Sequence, residues 1–183
     1  KAFVFYGSPA GLDSAPDWTA ESDQADAAFG CDVGTGGDVN GDGYGDVIMG
    51  ASLYDNGQTD EGRAFVYLGS ASGLASTASW TAESDQDGAG FGVSASTAGD
   101  VNGDGYADVV VGSLTYDHGQ PDEGAAFVYL GSAAGLASTY AWMAEGDQSY
   151  ARFGMFSATA GDVNGDGYAD LFVTAPWYNG GQY

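Results

Sequence analysis

The chain has 183 residues, 44% hydrophobic and 14% aromatic, which is enough for one domain with a packed core and too apolar for a disordered acidic tail. Its 26 acidic side chains against 3 basic ones give a formal net charge of -23, a field that repels phosphate backbones and anionic membrane surfaces and attracts cations. With Gly 32 and Pro 4 the composition reads as many tight turns between short strands; no stretch has the pattern of a signal peptide or a membrane span, and the chain begins mid-pattern at "KAFVFYG".

In chain order, the first predicted strand is "FVFYGS" from Phe3, followed by one around Trp18. Phe29-Gly30 opens a strand that runs into the loop "DVNGDGYGD" (Asp38 to Asp46), and "DVIMGA" leaves it. "FVYLGS" from Phe65 and a strand around Trp80 come next. The order then repeats: "FGVSASTAG" from Phe91, a loop from Asp100 to Asp108, "DVVVGS", "AAFVYLGS" and "YAWMAE". Phe153-Gly154, a third loop from Asp162 to Asp170 and "DLFVTA" close the chain. The period is 62 residues throughout: Phe3, Phe65 and Phe127 keep it, as do Trp18, Trp80 and Trp142 and Asp38, Asp100 and Asp162.

Fixed self-similarity of this length marks an array of supersecondary units. Four short strands per unit predict an all-β fold of β-propeller blades, each of four antiparallel strands; a parallel β-helix has shorter coils. Residues 1–183 form a single propeller or part of one, with repeat units of approximately 1–62, 63–124 and 125–183. Lys1 aligns with Arg63 and Tyr183 with Pro121, so two intact blades stand between two half blades. The recurrent Trp positions are expected to pack blade against blade. Cys31 is the only cysteine, which rules out an internal disulfide, and is expected to be a buried strand thiol matching Val93.

The repeated loop poses an electrostatic problem, because three carboxylates within nine residues repel and raise each other's pKa. Either the loop is extended and solvated, or a cation sits among the oxygens. Positions 1, 3, 5, 7 and 9 are Asp38, Asn40, Asp42, Tyr44 and Asp46, and alternate residues of a tightly curled loop turn their oxygens inward. Hard oxygen donors in irregular geometry suit Ca²⁺ over Mg²⁺, and Zn²⁺ would want His or Cys, which are not repeated. A helical EF-hand needs Glu at position 12, where Met49, Val111 and Val173 stand, and a dockerin needs an acidic twelfth residue too. About three Ca²⁺ per chain are expected; they bring the charge from -23 to -17 (-23 + 6) and leave the rest of the acidic excess unexplained.

The chain resembles the FG-GAP repeats of integrin α-subunit β-propellers and their bacterial relatives. Phe29-Gly30 precedes Gly50-Ala51-Ser52, Phe91-Gly92 precedes Gly112-Ser113, and Phe153-Gly154 precedes Thr174-Ala175-Pro176, with the Asp-x-Asp-x-Asp-Gly-x-x-Asp loop between each pair, Asn standing at the second ligand. The resemblance implies Ca²⁺ in a hairpin between the first two strands of each blade. It assigns the ligands Asp38, Asn40, Asp42, Tyr44 (by its carbonyl) and Asp46, then Asp100, Asn102, Asp104, Tyr106 and Asp108, then Asp162, Asn164, Asp166, Tyr168 and Asp170. Family propellers usually have seven blades, which no whole number of three-repeat chains makes.

The expected function is that of a secreted, calcium-binding, non-catalytic binding, adhesion or assembly module, with a calcium-dependent lectin holding glycans between blades as the alternative. The loops "YDNGQTDEG" and "YDHGQPDEG" and the "ESDQ" connections fall on the face opposite the Asp loops. Catalysis is not expected: His118 reads as a solvated turn residue, Glu21, Glu83 and Glu145 recur by period and read as structural, and no Ser–His–Asp set or phosphate loop is present. Expected partners are a second copy exchanging half blades to give a six-bladed ring, or the remaining blades of a longer chain, with a protein or glycan ligand and neither nucleic acid nor membrane insertion.

Overall fold

The computed structural model describes residues 1–181 and is all-β. Its strands are β1 (Ala2–Val4), β2 (Gly7–Ser8), β3 (Gly11–Leu12), β4 (Trp18–Ala20), β5 (Phe29–Gly37), β6 (Asp46–Ala51), β7 (Arg63–Tyr67), β8 (Trp80–Glu83), β9 (Phe91–Gly99), β10 (Asp108–Ser113), β11 (Ala125–Tyr129), β12 (Trp142–Glu145), β13 (Ser157–Gly161) and β14 (Asp170–Val173). Two four-stranded antiparallel sheets, β5-β6-β7-β8 and β9-β10-β11-β12, are the intact blades. β1 pairs only with β4 and β13 only with β14, which are the third and fourth, and the first and second, strands of a blade. The hairpin β2-β3, inside the stretch read as one strand with its turn, was not expected. The last two residues of the third repeat unit, 182 and 183, lie outside the described residues.

Strand two of each intact blade is apolar on both faces because both are covered. Val109, Val110 and Val111 are fully buried, paired to Tyr129, Val128 and Phe127 on one side and to Thr97, Ser96 and Ala95 on the other. A twisted sheet buried on both faces favours such β-branched runs. The core lies between blades: Ile48, Val66, Phe91, Ala95, Val109, Val111 and Phe127 form one cluster drawn from both intact sheets.

Blades meet where the repeat places glycine. A Cβ on Gly50 would stand 1.7 Å from the Gly92 carbonyl oxygen, and one on Gly112 would stand 1.9 Å from that of Gly154. The Phe-Gly of one repeat therefore abuts the glycine one residue before the end of strand two in the repeat before it. Farther out, Trp18 and Trp80 pack blade on blade as expected, whereas Trp142, with no outer strands of a following blade beside it, is 43% exposed. The Trp18 indole N–H donates to the Ala75 carbonyl at 2.9 Å and that of Trp80 to the Ala137 carbonyl at 2.8 Å. Their rings meet Tyr67 and Tyr129 edge-on at 4.8 Å, a favoured aromatic geometry.

Cys31 departs from expectation: its side chain is exposed, whereas Val93 at the matching position is half-buried. Both β5 and β9 are edge strands with a register shift at this place, but β9 packs against β5 of the blade before it, whereas the blade before β5 supplies only β1 and β4 and leaves Cys31 uncovered on that side. The thiol lies 3.5 Å from the Gly92 carbonyl oxygen.

Gly112→Ala is expected to destabilise the fold by about 1–3 kcal/mol or more, because backbone must move to admit the methyl. Gly45→Ala, whose Cβ meets nothing within 4 Å, is expected to stay within about 0.5 kcal/mol of the parent. Urea unfolding of the two variants checks this pair.

Candidate metal centres

Each Asp loop is a tight hairpin between strands one and two, and its backbone amides already face its acidic side chains. In the first loop Asp38 accepts from the amides of Asp42 at 3.0 Å and Gly43 at 2.8 Å. Asn40 Oδ1 accepts from the Asp42 amide at 3.1 Å, and Asp42 Oδ1 from the Tyr44 amide at 3.0 Å. The second and third loops repeat the pattern: Gly105 donates to Asp100 at 2.8 Å and Tyr106 to Asp104 at 3.0 Å, while Gly167 donates to Asp162 at 2.9 Å and Tyr168 to Asp166 at 3.0 Å. These bonds, led by the Gly167 amide, hold the exposed Asp162 carboxyl below the usual carboxylate range.

The ninth position sits elsewhere. Asp46 and Asp108 are buried beneath their loops and tie three segments together. Asp46 accepts from Val39 in the loop and from Gly69 after strand three, both at 2.8 Å; Asp108 does the same with Val101 and Gly131, both at 2.8 Å. Burial pushes both carboxyls up, against the pull of these amides, and the neighbouring loop carboxylates push the same way. In the third loop Asp170 is half-buried and keeps the bond from Val163 at 2.8 Å.

The structure thus brings Asp38, Asn40 and Asp42 together at the mouth of the loop, with Asp46 below it. Carboxylate oxygens accept more than one contact, so the loop offers an all-oxygen donor set bearing three negative charges in a backbone already curled. That set fits a hard divalent cation of the Ca²⁺ type.

Successive loops touch. The Ala107 amide donates to the Asp38 carbonyl at 3.0 Å and the Ala169 amide to that of Asp100 at 2.9 Å. The Tyr106 ring lies so close over Gly41 that a Cβ there would meet it at 2.7 Å, and Tyr168 covers Gly103 in the same way at 2.8 Å.

At the other end of the blades lies a second acidic grouping that sequence reasoning passed over as structural. In each intact blade three carboxylate oxygens lie within 4.8 Å of one another: Glu61, Glu83 and Asp85, and Glu123, Glu145 and Asp147. The available signal was Glu61 and Glu123 in the repeated "DEG", one residue class at fixed phase beside the periodic Glu83 and Glu145. His118 is a turn residue as expected, 59% exposed, yet its Nδ1 stands 2.7 Å from Glu145 Oε2. That contact, and the charge of Glu145, raise its pKa.

Profiles of known families match this chain at residues 29–67, 91–129 and 153–183, each as an FG-GAP repeat. The chain belongs to the FG-GAP repeat family. Its FG-GAP repeats are 36% identical over 162 residues to integrin alpha-PS2 of Drosophila melanogaster, covering 80% of this chain and 11% of that protein. They are 38% identical over 138 residues to integrin alpha-7 of Rattus norvegicus, covering 74% of this chain and 12% of that one. Phosphatidylinositol-glycan-specific phospholipase D of Bos taurus is 34% identical over 163 residues, covering 80% of this chain and 18% of the phospholipase. The chain thus spans less than a fifth of each of these relatives.

Without metal, Asp108→Asn is expected to cost about 1–3 kcal/mol, because an amide NH₂ would face a backbone donor in a buried place. Asp104→Asn, at the exposed loop mouth, is expected to stay within about 0.5 kcal/mol. Thermal unfolding in chelator separates the two.

Proposed function

We propose that this FG-GAP chain binds Ca²⁺ in its three Asp loops and serves as a non-catalytic binding or adhesion module outside the cell. The observation that carries the reading is the threefold loop whose amides are turned onto Asp38, Asp100 and Asp162 at the same end of every blade. The ligands are the five loop positions in each repeat, from Asp38 to Asp46, Asp100 to Asp108 and Asp162 to Asp170. The ion offsets the repulsion among three carboxylates and clamps strand one to strand two. Sites of the extracellular type bind at about 10⁻⁴ to 10⁻³ M, so they fill outside the cell and stay empty in cytosol. The similarity to integrin α chains supports the binding role. The phospholipase D activity belongs to a protein of which this chain spans 18%, and it is not carried over.

Calcium titration by calorimetry is expected to give about three ions per chain, and Asp104→Asn about two. Unchanged stoichiometry in that variant, or no heat with the parent, counts against the calcium reading.

A lectin is the alternative, and one groove favours it: Thr81, Glu83, Asp85, Thr139 and Tyr140 line a cleft between the intact blades with hydroxyl, carboxylate and aromatic groups. Calcium-dependent signal on a glycan array would select it, and a flat array would leave the protein-binding reading.

For partners, we propose that the half blades are completed by exchange with a second copy. Phe3 is 55% exposed where Phe65 and Phe127 are 8% and 3%, and Phe172 is 59% exposed where Ile48 and Val110 are buried. β1 and β14 each have an unpaired edge where the intact blades pair strand two with strand three. A cleft of about 640 Å³ beside β1, lined by Phe3, Val33 and Met49, would receive the incoming strands. Sedimentation is expected to show a species of twice the 18.5 kDa chain mass. A monomer at micromolar concentration would assign those edges to further blades of a longer chain.

A further inference from the structure

Each acidic grouping opposite the Asp loops contains a deeply buried glutamate with one oxygen unaccounted for. Glu123 is 1% exposed. Its Oε1 accepts from the amides of His118 at 2.7 Å and Gln120 at 3.2 Å, whereas its Oε2, also buried, has no hydrogen-bond partner among the described residues. Glu61 is built in the same way. A buried carboxylate oxygen without a donor or a countercharge is costly, and here two further carboxylates crowd it.

The repeats differ in how they answer that cost. All three basic side chains of the protein sit beside acids, and two of them occupy one repeat position. Lys1 Nζ lies 3.6 Å from Glu21, and Arg63 Nε lies 3.5 Å from Glu83 one period later. Asn56 adds a bond to Glu83 at 2.8 Å. One period further, the cationic position is Ala125, and Asn56 is replaced by His118. Glu123, Glu145 and Asp147 thus lack the built-in cation of the first blade, and an imidazole nitrogen stands at the rim 2.7 Å from Glu145.

We propose that Glu123, Glu145, Asp147 and His118 form a separate site for a divalent transition ion of the Zn²⁺ class, present in the second intact blade alone of the two. Three carboxylate oxygens and one imidazole nitrogen make a four-ligand set, the number that Zn²⁺ takes, and the nitrogen favours such an ion over Ca²⁺. Two ligand atoms on one tetrahedral ion stand about 3.3 Å apart at ordinary bond lengths. The three carboxylate oxygens lie within 4.8 Å of one another and can close on one ion, whereas the His118 imidazole touches Glu145 alone, at 2.7 Å from the rim, and swings inward to join them. The exposed His118 gives the ion access from solvent, and the bound charge meets the orphaned Glu123 oxygen. In the first blade Arg63 already sets a fixed positive charge 3.5 Å from Glu83 and no imidazole stands at the rim, so no transition ion is assigned to Glu61, Glu83 and Asp85.

The test is calorimetric titration with Zn²⁺ in saturating Ca²⁺, which occupies the Asp loops, on a Cys31→Ser background, because the exposed thiol would itself bind Zn²⁺. The expected result is one Zn²⁺ per chain, weakened about 10-fold or more by His118→Asn and by Glu145→Gln. His118→Asn installs the residue of the first blade at an exposed position, so it folds, and its Ca²⁺ titration is expected to match the parent's. No Zn²⁺ binding by the parent, or equal binding by both variants, overturns the proposal. A lost Ca²⁺ response with Zn²⁺ binding intact would instead overturn the calcium reading and leave this one standing.

Discussion

Backbone contact between neighbouring blades is the constraint on which the rest of the structure depends. Gly92 rests on Gly50, and Gly154 on Gly112, at distances that leave no room for a side chain on the strand-two glycine. A four-stranded blade has two apolar faces and cannot bury either alone, so each must lie flush on the next. The glycines permit that approach at the inner end, and the Trp80 contacts to Ala137 and Tyr129 fix it farther out. Phe91, inserted between, is wholly buried and meets Phe127 at 5.6 Å.

Once the blades are stacked, their two ends acquire different chemistry. At one end the Asp loops come into a row, the first two each bonded through the first Asp carbonyl to the next loop and covered by that loop's tyrosine. Within each loop mouth the bonds to the side chains of the first, third and fifth positions span five residues or fewer. Asp46 and Asp108 reach beyond the loop, to the end of strand three of their own blade. At the other end the connections "ESDQ" and "DEG" meet, and Gln24 and Gln86 clamp the backbone of Asp55 and Asp117 in the blade after their own strands. Carboxylates gather here through packing and not through a loop motif.

The three repeats are therefore alike in frame and unlike in charge. Substitution of Ala125 for the cation at positions 1 and 63, and of His118 for Asn56, changes the electrostatics of one blade without altering its strands. The half blades show a second asymmetry: the residues that fill the core in the intact blades, such as Val110, have exposed counterparts, such as Phe172, where a neighbouring strand is lacking.

The sequence by itself determined the period, the strand order, the division into two whole and two half blades, and the loops at Asp38, Asp100 and Asp162. All of these rest on local pattern: β-branched runs, turn glycines and the spacing of carboxylates within nine residues. Packing of Trp18 and Trp80 between blades was legible too, because a fixed phase in every repeat marks a shared contact. Tertiary structure alone decided that Asp46 and Asp108 lie beneath the loop mouth, that Cys31 is exposed on an irregular edge strand, and that β2 and β3 form a hairpin. It also decided that Glu123 is buried beside Glu145 and Asp147, more than twenty residues along the chain, and that the His118 imidazole meets Glu145. Those arrangements depend on which strands become neighbours and which faces are covered, and a repeat read along one dimension carries no record of distance across the sheet.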